Sequence, residues 1–188
     1  MYTDVISRVP PAQFGAASIN HDTPSPFERL RGAMSGQPLG RESYCRLLID
    51  GKCYMTDAEF ERRTNREFMT KAHGDVLIAG LGIGLILDPL FDRCTSVTVI
   101  EKSSDVIGLV ARHYPKATII HADIFDWKPP IGSMWDTIYF DIWPTINADE
   151  VKAESRKLER KFKKYLRDDG YMQSWNRIAL EAIPRSRR

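Results

Sequence analysis

The second half of the chain alternates short apolar runs with amphipathic segments. The apolar runs read as strands that are buried on both faces of a parallel sheet. They are Asp75–Ala79, Val97–Glu101, Ala117–His121, Asp136–Asp141 and Tyr171–Trp175. Helices are predicted between the second and third runs, at Ser103–Tyr114, and between the fourth and fifth, at Asp149–Arg167. The alternation predicts an α/β fold with an open, doubly wound and mostly parallel sheet.

A β-hairpin and a helix are predicted in front of this sheet. The strand-like runs Tyr44–Ile49 and Lys52–Thr56 flank Asp50-Gly51, a dipeptide that tolerates the positive φ angles of a tight turn. Thr56 and Glu59 then have the spacing of a capping box, so a polar, weakly amphipathic helix is predicted to extend to about Ala72.

Proline interrupts the first 41 residues at five positions. These are Pro10, Pro11, Pro24, Pro26 and Pro38. Each proline restricts φ and removes a backbone donor, which argues against regular structure. We expect residues 1–41 to form an extended or disordered arm.

Composition places the chain among globular proteins of about one domain. It has 188 residues, of which 43% are hydrophobic and 28% are charged. No apolar run approaches the ~20 residues of a membrane-spanning helix, and the N-terminus lacks the pattern of a signal peptide. We therefore expect a cytoplasmic protein without a membrane partner.

The cysteines and histidines do not have the spacing of a metal site. Cys45, Cys53 and Cys94 fit neither a disulfide framework nor a zinc ribbon, so we expect them to be reduced. The four histidines have no ligand-like spacing with one another or with cysteine. No structural metal is expected.

Positive charge is concentrated near the C-terminus. Residues 151–188 carry 12 Lys and Arg against 5 Asp and Glu, whereas the remainder carries 15 against 20. Such an asymmetry suits either an anionic partner or a solvated helix face. Because Phe162 and Tyr165 fall on the predicted buried side of the helix, solvation is favoured over nucleic-acid binding.

A glycine-rich turn follows the first predicted strand of the parallel sheet. Gly80, Gly82 and Gly84 have the spacing G-x-G-x-G. Glycines there let the chain turn sharply and bring backbone N–H groups close to a ligand. Dinucleotide-binding loops more often have G-x-G-x-x-G, and a tight turn without a ligand remains an alternative.

Two carboxylates follow the next two strands. Glu101 ends its strand 21 residues beyond Gly80, where a carboxylate can accept from both hydroxyls of a ribose. The alternative is an exposed glutamate that faces its neighbour, Lys102. Asp123 can accept from an adenine amino group with an aromatic ring over the base, or it can cap an ordinary loop.

A third acidic residue, Asp141, ends the fourth strand and is followed by Trp143 and Pro144. This is the edge at which doubly wound sheets bind ligands. Asp141 could orient an acceptor, act as a base, bind the cationic end of a cofactor, or cap the following turn.

The run from Val76 to Asp141 resembles the class I S-adenosylmethionine-dependent methyltransferases, and within them the spermidine-synthase-like branch. The hairpin residues Ile49-Asp50-Gly51 and Thr56 are similar to that branch, and Glu67 falls where it has a glutamate in the preceding helix. The resemblance covers about residues 43–175. It implies a Rossmann-like cofactor-binding domain over 73–188, behind the arm (1–41) and the hairpin with its helix (42–72).

The resemblance also implies roles for the site residues. The cofactor would be S-adenosylmethionine, held by the residues singled out above. They are Gly80, Gly82 and Gly84 in the cofactor loop, Glu101 at the ribose, Asp123 at the adenine and Asp141 near the sulfonium.

A methyltransferase with an unknown acceptor is the leading hypothesis. Asp141 would orient the acceptor, with Tyr54 and Trp143 shaping the acceptor pocket. Spermidine synthases have an aspartate where this chain has Pro144, and a hairpin glutamine where it has Tyr54. Three alternatives stay open: a nucleoside-binding module without catalysis, an aminopropyltransferase with altered catalytic groups and, more remotely because of the glycine spacing, a nicotinamide-dependent oxidoreductase.

The sheet is expected to be shortened at its C-terminal end. Residues 176–188 are too few for the final antiparallel strand pair of this fold, so Tyr171–Trp175 would be an exposed edge. Exposed edges invite pairing. We expect another copy of the chain, as a homo-oligomer, or the N-terminal arm to cover this edge.

Overall fold

The computed structural model describes residues 2–34, 43–143 and 148–175. These residues form two sheets with helices around them. The strands are β1 (Ala12–Phe14), β2 (Ala17–Asp22), β3 (Tyr44–Ile49), β4 (Lys52–Thr56), β5 (Asp75–Ala79), β6 (Ser96–Glu101), β7 (Thr118–His121), β8 (Trp135–Phe140) and β9 (Leu166–Ser174). The helices are α1 (Val5–Arg8), α2 (Pro26–Met34), α3 (Glu59–Thr64), α4 (Arg66–Lys71), α5 (Leu87–Phe91), α6 (Ser104–Val110) and α7 (Ala148–Phe162).

The larger sheet is parallel throughout and has the order β7-β6-β5-β8-β9. Leu77 in β5 and Ile138 in β8 are fully buried, because helices and loops cover both faces of these central strands. This burial is why the strands read as continuous apolar runs. The predicted open α/β architecture is confirmed.

The chain crosses from one half of this sheet to the other after β7. Strands β5, β6 and β7 follow one another outward, and β8 then returns to the opposite side of β5. The strand order therefore reverses between β5 and β8. Ligands of open α/β sheets bind at the carboxyl ends of strands beside such a reversal.

The predicted hairpin is confirmed as β3 and β4. Asp50 and Gly51 have φ angles of 50° and 72°, as a tight turn of positive-φ residues requires. The hairpin belongs to a second, antiparallel sheet in the order β1-β2-β3-β4. This sheet brings β4 and the helix that follows it next to the parallel sheet.

The prediction that the first 41 residues lack regular structure is wrong for the described part of the arm. Strands β1 and β2 extend the hairpin sheet, and β2 pairs with β3. Pro26 is the first residue of α2, where its missing N–H costs nothing. Ser25 Oγ accepts from Glu28 N at 3.2 Å, and Glu28 Oε2 accepts from Ser25 N at 2.8 Å, which is a capping box. Pro38 lies outside the described residues.

The helix predicted from Thr56 to Ala72 is divided into α3 and α4 at Asn65. Thr56 ends β4, and α3 begins without a side-chain cap. Asn65 is fully buried and accepts from Tyr139 Oη at 2.9 Å through its side-chain oxygen. The break in the helix places Asn65 against the parallel sheet.

Helix α7 is shorter than predicted, because a 3₁₀ turn at Lys163–Tyr165 leads directly into β9 at Leu166. Its predicted apolar stripe is confirmed, since Val151, Leu158 and Phe162 are buried. Among the described residues, no helix is long and apolar enough to cross a membrane.

Strand β9 is the last strand of the parallel sheet within the described residues. The described part of the arm, residues 2–34, does not cover this edge, because β1 and β2 pair with the hairpin instead. Pairing with a second copy of the chain stays a prediction. Residues 176–188, on which the expected shortening depends, lie outside the described part.

Candidate active site

A cleft of about 1190 Å³ lies at the carboxyl ends of β5, β6 and β8. The hairpin, α3 and α2 form its opposite wall. Most of the residues singled out from the sequence line it: Tyr54, Gly80, Gly82, Glu101, Asp123, Asp141 and Trp143. Apart from Gly84, the structure therefore brings the predicted site residues together at the expected place on the sheet.

Gly80 joins the end of β5 to the neighbouring strands. Its N–H donates to Ile100 O at 2.9 Å, and its φ is +97°. A Cβ at this position would lie 2.0 Å from the carbonyl oxygen of Asp141. Glycine thus allows the ends of β5 and β8 to approach each other beneath the cleft.

Gly84 lies outside the lining of the cleft. Its φ is +73°, and an added Cβ would lie 2.3 Å from the ring of Tyr114. The Tyr114 hydroxyl donates to Ile83 O at 2.9 Å. The buried tyrosine, rather than a ligand, accounts for the third glycine of the motif.

Glu101 bridges the glycine loop and the loop after β6. Its Oε2 accepts from Leu81 N at 2.8 Å, and its Oε1 accepts from Ser103 N at 2.7 Å. A carboxylate has about four acceptor positions, so each oxygen keeps one for a ligand. Of the two sequence-based alternatives, the structure places Glu101 beside the glycine loop, and its contact with a ribose stays a prediction.

Asp123 shapes the loop after β7. Its Oδ1 accepts from Phe125 N at 2.9 Å, and its Oδ2 pairs with Lys102 Nζ at 2.7 Å. The hydrogen bond from Lys102 is the main reason that the pKa of Asp123 lies below its usual value. The capping alternative is therefore present in the structure, and an adenine contact would share the carboxylate with Lys102.

Lys161 of α7 is hydrogen-bonded to the loop after β7. Its Nζ donates to the carbonyl oxygens of Ile124, Phe125 and Trp127 at 2.9, 2.7 and 2.7 Å. The three protons of the ammonium group match these three acceptors. One member of the C-terminal basic series is thus a structural clamp on the cleft wall.

Asp141 and Glu61 are two carboxyl groups in the same region of the cleft. Burial raises the pKa of Asp141 to about 8, and the charge of Glu61 adds to the effect. Burial alone raises the pKa of Glu61 to about 7. Within the described part of the chain, neither side chain has a hydrogen-bond or ion-pair partner, so no cation offsets their loss of hydration.

These two pKa values predict that the unliganded fold loses stability as pH rises. The folded state holds protons on both groups that the unfolded chain releases above about pH 4. Stability should therefore fall from about pH 4 to pH 8. We expect Asp141→Asn to flatten this dependence and to melt higher than the wild type at pH 8. Thermal melts of the two proteins from pH 5 to 8 measure this difference. Melting temperatures that fall in parallel with pH would contradict the prediction.

Glu61 is the site residue that the sequence analysis did not identify. Glu67, chosen by resemblance, instead accepts from Lys71 Nζ at 2.8 Å and from Gln173 Nε2 at 3.0 Å, away from the cleft. Both glutamates lie in one predicted helix, and no local pattern separates them. Glu61 lies in α3, before the break at Asn65, and lines the cleft, whereas Glu67 lies in α4, after the break.

Aromatic side chains surround the Asp141 end of the cleft. Trp143 follows β8, and its Nε1 donates to Glu154 Oε2 at 2.7 Å. Tyr54 projects from β4 with 40% of its surface exposed, and Phe60 lines the same cleft from α3. The predicted acceptor-pocket residues are therefore in the cleft, and their contact with an acceptor stays a prediction. Pro144 lies outside the described residues.

Comparison with known sequences gives a short similarity. No protein-family model matches the chain. The chain is 29% identical over 73 residues to the ribosomal RNA small subunit methyltransferase A of Chlorobium limicola, covering 39% of this chain and 28% of that protein. The similarity therefore spans little more than a quarter of that relative's length.

Comparison with solved structures concerns the fold. NodS, an N-methyltransferase from Bradyrhizobium japonicum, is 19% identical over 62% of this chain and 66% of its own, with a TM-score of 0.48. SMU.776, a methyltransferase candidate solved with SAH, is 17% identical over 70% of this chain and 39% of its own, with a TM-score of 0.51. The spermidine-synthase-like branch stays a prediction. The chain has the Rossmann-like fold of the class I S-adenosylmethionine-dependent methyltransferases.

Proposed function

We propose that the chain is an S-adenosylmethionine-dependent methyltransferase. The observation that carries the proposal is the position of Glu101. This carboxylate ends β6, is fixed by the N–H groups of Leu81 and Ser103, and keeps acceptor positions for the two hydroxyls of a ribose.

The cleft fits this cofactor in shape and chemistry. Gly80 and Gly82 line the cleft beside Glu101, and the Asp123–Phe125 turn on the same wall would offer an adenine ring a carboxylate and an aromatic side chain. Pockets for single small molecules hold about 300–1,000 Å³, so a cleft of about 1190 Å³ admits a cofactor together with an acceptor.

The protein's part in the reaction is to position the cofactor and the acceptor. When bound, S-adenosylmethionine supplies a methyl group that its sulfonium already activates. Glu101 would hold the ribose, and Asp141 would orient the acceptor in line with the methyl group. The walls formed by the hairpin and α3 would exclude water from the reacting atoms.

Calorimetric titration followed by a transfer assay tests the proposal. We expect S-adenosylmethionine and S-adenosylhomocysteine to bind more tightly than NAD. We also expect labelled methyl to pass to an acceptor, with a large loss of turnover in Asp141→Ala. Tighter binding of NAD, or no binding of either nucleoside at millimolar concentration, would exclude the proposal. Binding without transfer to any acceptor would favour the non-catalytic module.

A further inference from the structure

A chain of buried hydrogen bonds fixes α3 over the end of β8. Tyr139 Oη donates to Asn65 Oδ1 at 2.9 Å, and Asn65 Nδ2 donates to the carbonyl oxygen of Glu61 at 2.9 Å. Tyr139 lies two residues before Asp141 on β8. The backbone of Glu61 is thus tied to β8, the strand that Asp141 directly follows, and both side chains line the cleft.

The two carboxyl groups are left without a counterion by this arrangement. Two basic side chains of the cleft wall are paired with other carboxylates: Lys102 with Asp123 at 2.7 Å, and Arg46 with Asp22 at 2.5 Å. Asp141 and Glu61 have no such partner within the described ranges. Both carboxyl groups are half-buried and lose hydration in the cleft. A bound cation would offset that cost.

The rest of the cleft also favours a cation. Its described lining contains eight acidic and three basic side chains, so its field attracts positive and repels negative ligands. Aromatic rings lie among the acidic groups, and the face of such a ring attracts an ammonium ion. The aromatic residues of the lining are Tyr44, Tyr54, Phe60, Phe125, Trp143 and Trp175.

We propose that the methyl acceptor is an amine, bound as its ammonium ion by Glu61 and Asp141, and that Glu61 is a second catalytic carboxylate of this site. The inference rests on the proposed methyltransferase function and deepens it by naming the acceptor class. The acidic lining would repel the phosphate groups of an acceptor such as RNA.

The reaction requires the ammonium ion to lose a proton before attack. One carboxylate of the pair takes that proton and frees the nitrogen lone pair. The nitrogen then forms a bond to the methyl carbon, while the bond between that carbon and sulfur breaks and its electron pair stays on sulfur. The products are the methylated amine as its ammonium ion, S-adenosylhomocysteine and a protonated carboxyl group. Without a cation beside them, the pKa of Asp141 is about 8 and that of Glu61 is about 7. The charge of a bound ammonium ion would lower both pKa values, so a carboxylate would be present to accept the proton.

Three probes of similar size and different charge test the inference. The chain is loaded with S-adenosylhomocysteine and titrated with butylammonium, butanol and butyrate. We expect butylammonium to bind at least about tenfold more tightly than either of the others, the factor of one hydrogen bond to a charged group. This comparison uses the wild type and needs no variant.

Matched glutamate variants locate the effect. Glu61→Gln should weaken butylammonium binding about tenfold or more, with the affinity for S-adenosylhomocysteine unchanged. In the transfer assay it should lower kcat as well as raise KM for the amine. Glu67→Gln, an identical change outside the cleft, should behave as the wild type in every measurement.

The outcomes separate the two proposals. If the nucleoside binds but butanol or butyrate binds as tightly as butylammonium, or Glu61→Gln binds the ammonium ion like the wild type, the amine inference is wrong and the methyltransferase proposal stands. Methyl transfer to an RNA oligonucleotide but not to butylamine would also contradict the amine inference and leave the methyltransferase proposal standing. A chain that binds neither S-adenosylmethionine nor S-adenosylhomocysteine overturns both.

Discussion

A Gly80→Ala variant is expected to lose S-adenosylmethionine binding and to melt well below the wild type. Its Cβ would lie 2.0 Å from a backbone oxygen, that of Asp141, which cannot move without separating β8 from β5. The φ of +97° adds a cost of about 1–2 kcal/mol for a residue with a side chain. With the overpacking cost, we expect a loss of about 2–5 kcal/mol in the free energy of unfolding.

Gly132→Ala is the matched control for this variant. Gly132 has a similar φ of +83°, but an added Cβ there meets no atom within 4 Å. Gly132→Ala should lose only the cost of the positive φ angle, about 1–2 kcal/mol in the free energy of unfolding, and should bind the cofactor like the wild type. Urea unfolding and calorimetric titration of both variants measure the difference. Equal losses of stability, or unchanged affinity in Gly80→Ala, would show that the approach of the two strand ends does not matter.

Glu101→Gln has the second large expected effect, a fall in S-adenosylmethionine affinity of about 10- to 100-fold. A hydrogen bond to a charged group contributes about 1.5–3 kcal/mol, and the amide loses that charge. The amide NH₂ group would also face the N–H of Leu81 or Ser103, because each carboxylate oxygen now accepts from one of them. A donor would then oppose a donor, and the glycine loop would shift.

Asp105→Asn serves as the control for Glu101→Gln. Asp105 Oδ2 accepts from Ala16 N at 2.9 Å, outside the lining of the cleft. It should alter the melting temperature slightly and leave the cofactor affinity unchanged. The measurement is calorimetric titration at one pH, accompanied by thermal melts. An affinity for S-adenosylmethionine that is equal in Glu101→Gln and the wild type would remove Glu101 from the cofactor site.

Features that depend on neighbouring residues were predictable from the sequence. Burial on both faces makes each central strand apolar, so β5, β6 and β8 were identified to within one residue at each end. The positive φ angles of Asp50 and Gly51 follow from the residue types of a tight turn. Glu101 was placed beside the glycine loop because consecutive strands of such a sheet are usually neighbours.

The arm shows how local signals can mislead. The prolines predict missing regular structure, yet Pro26 begins a helix with a capping box formed by Ser25 and Glu28. That pattern was present in the sequence. What could not be read is the pairing of β2 with β3, because it joins residues on either side of a long connection.

The parallel sheet, the hairpin turn and the set of groups at the strand ends can be inferred from the amino-acid sequence, since periodicity and turn chemistry act between residues close along the chain. Two features are visible only in the folded chain: Gly84 accommodates Tyr114, and Glu61, not Glu67, joins Asp141 in the cleft. These choices depend on contacts such as Asn65 with Tyr139, 74 residues apart in the chain. Only packing of the folded chain brings such residues together, and the burial that results sets the pKa values of the site.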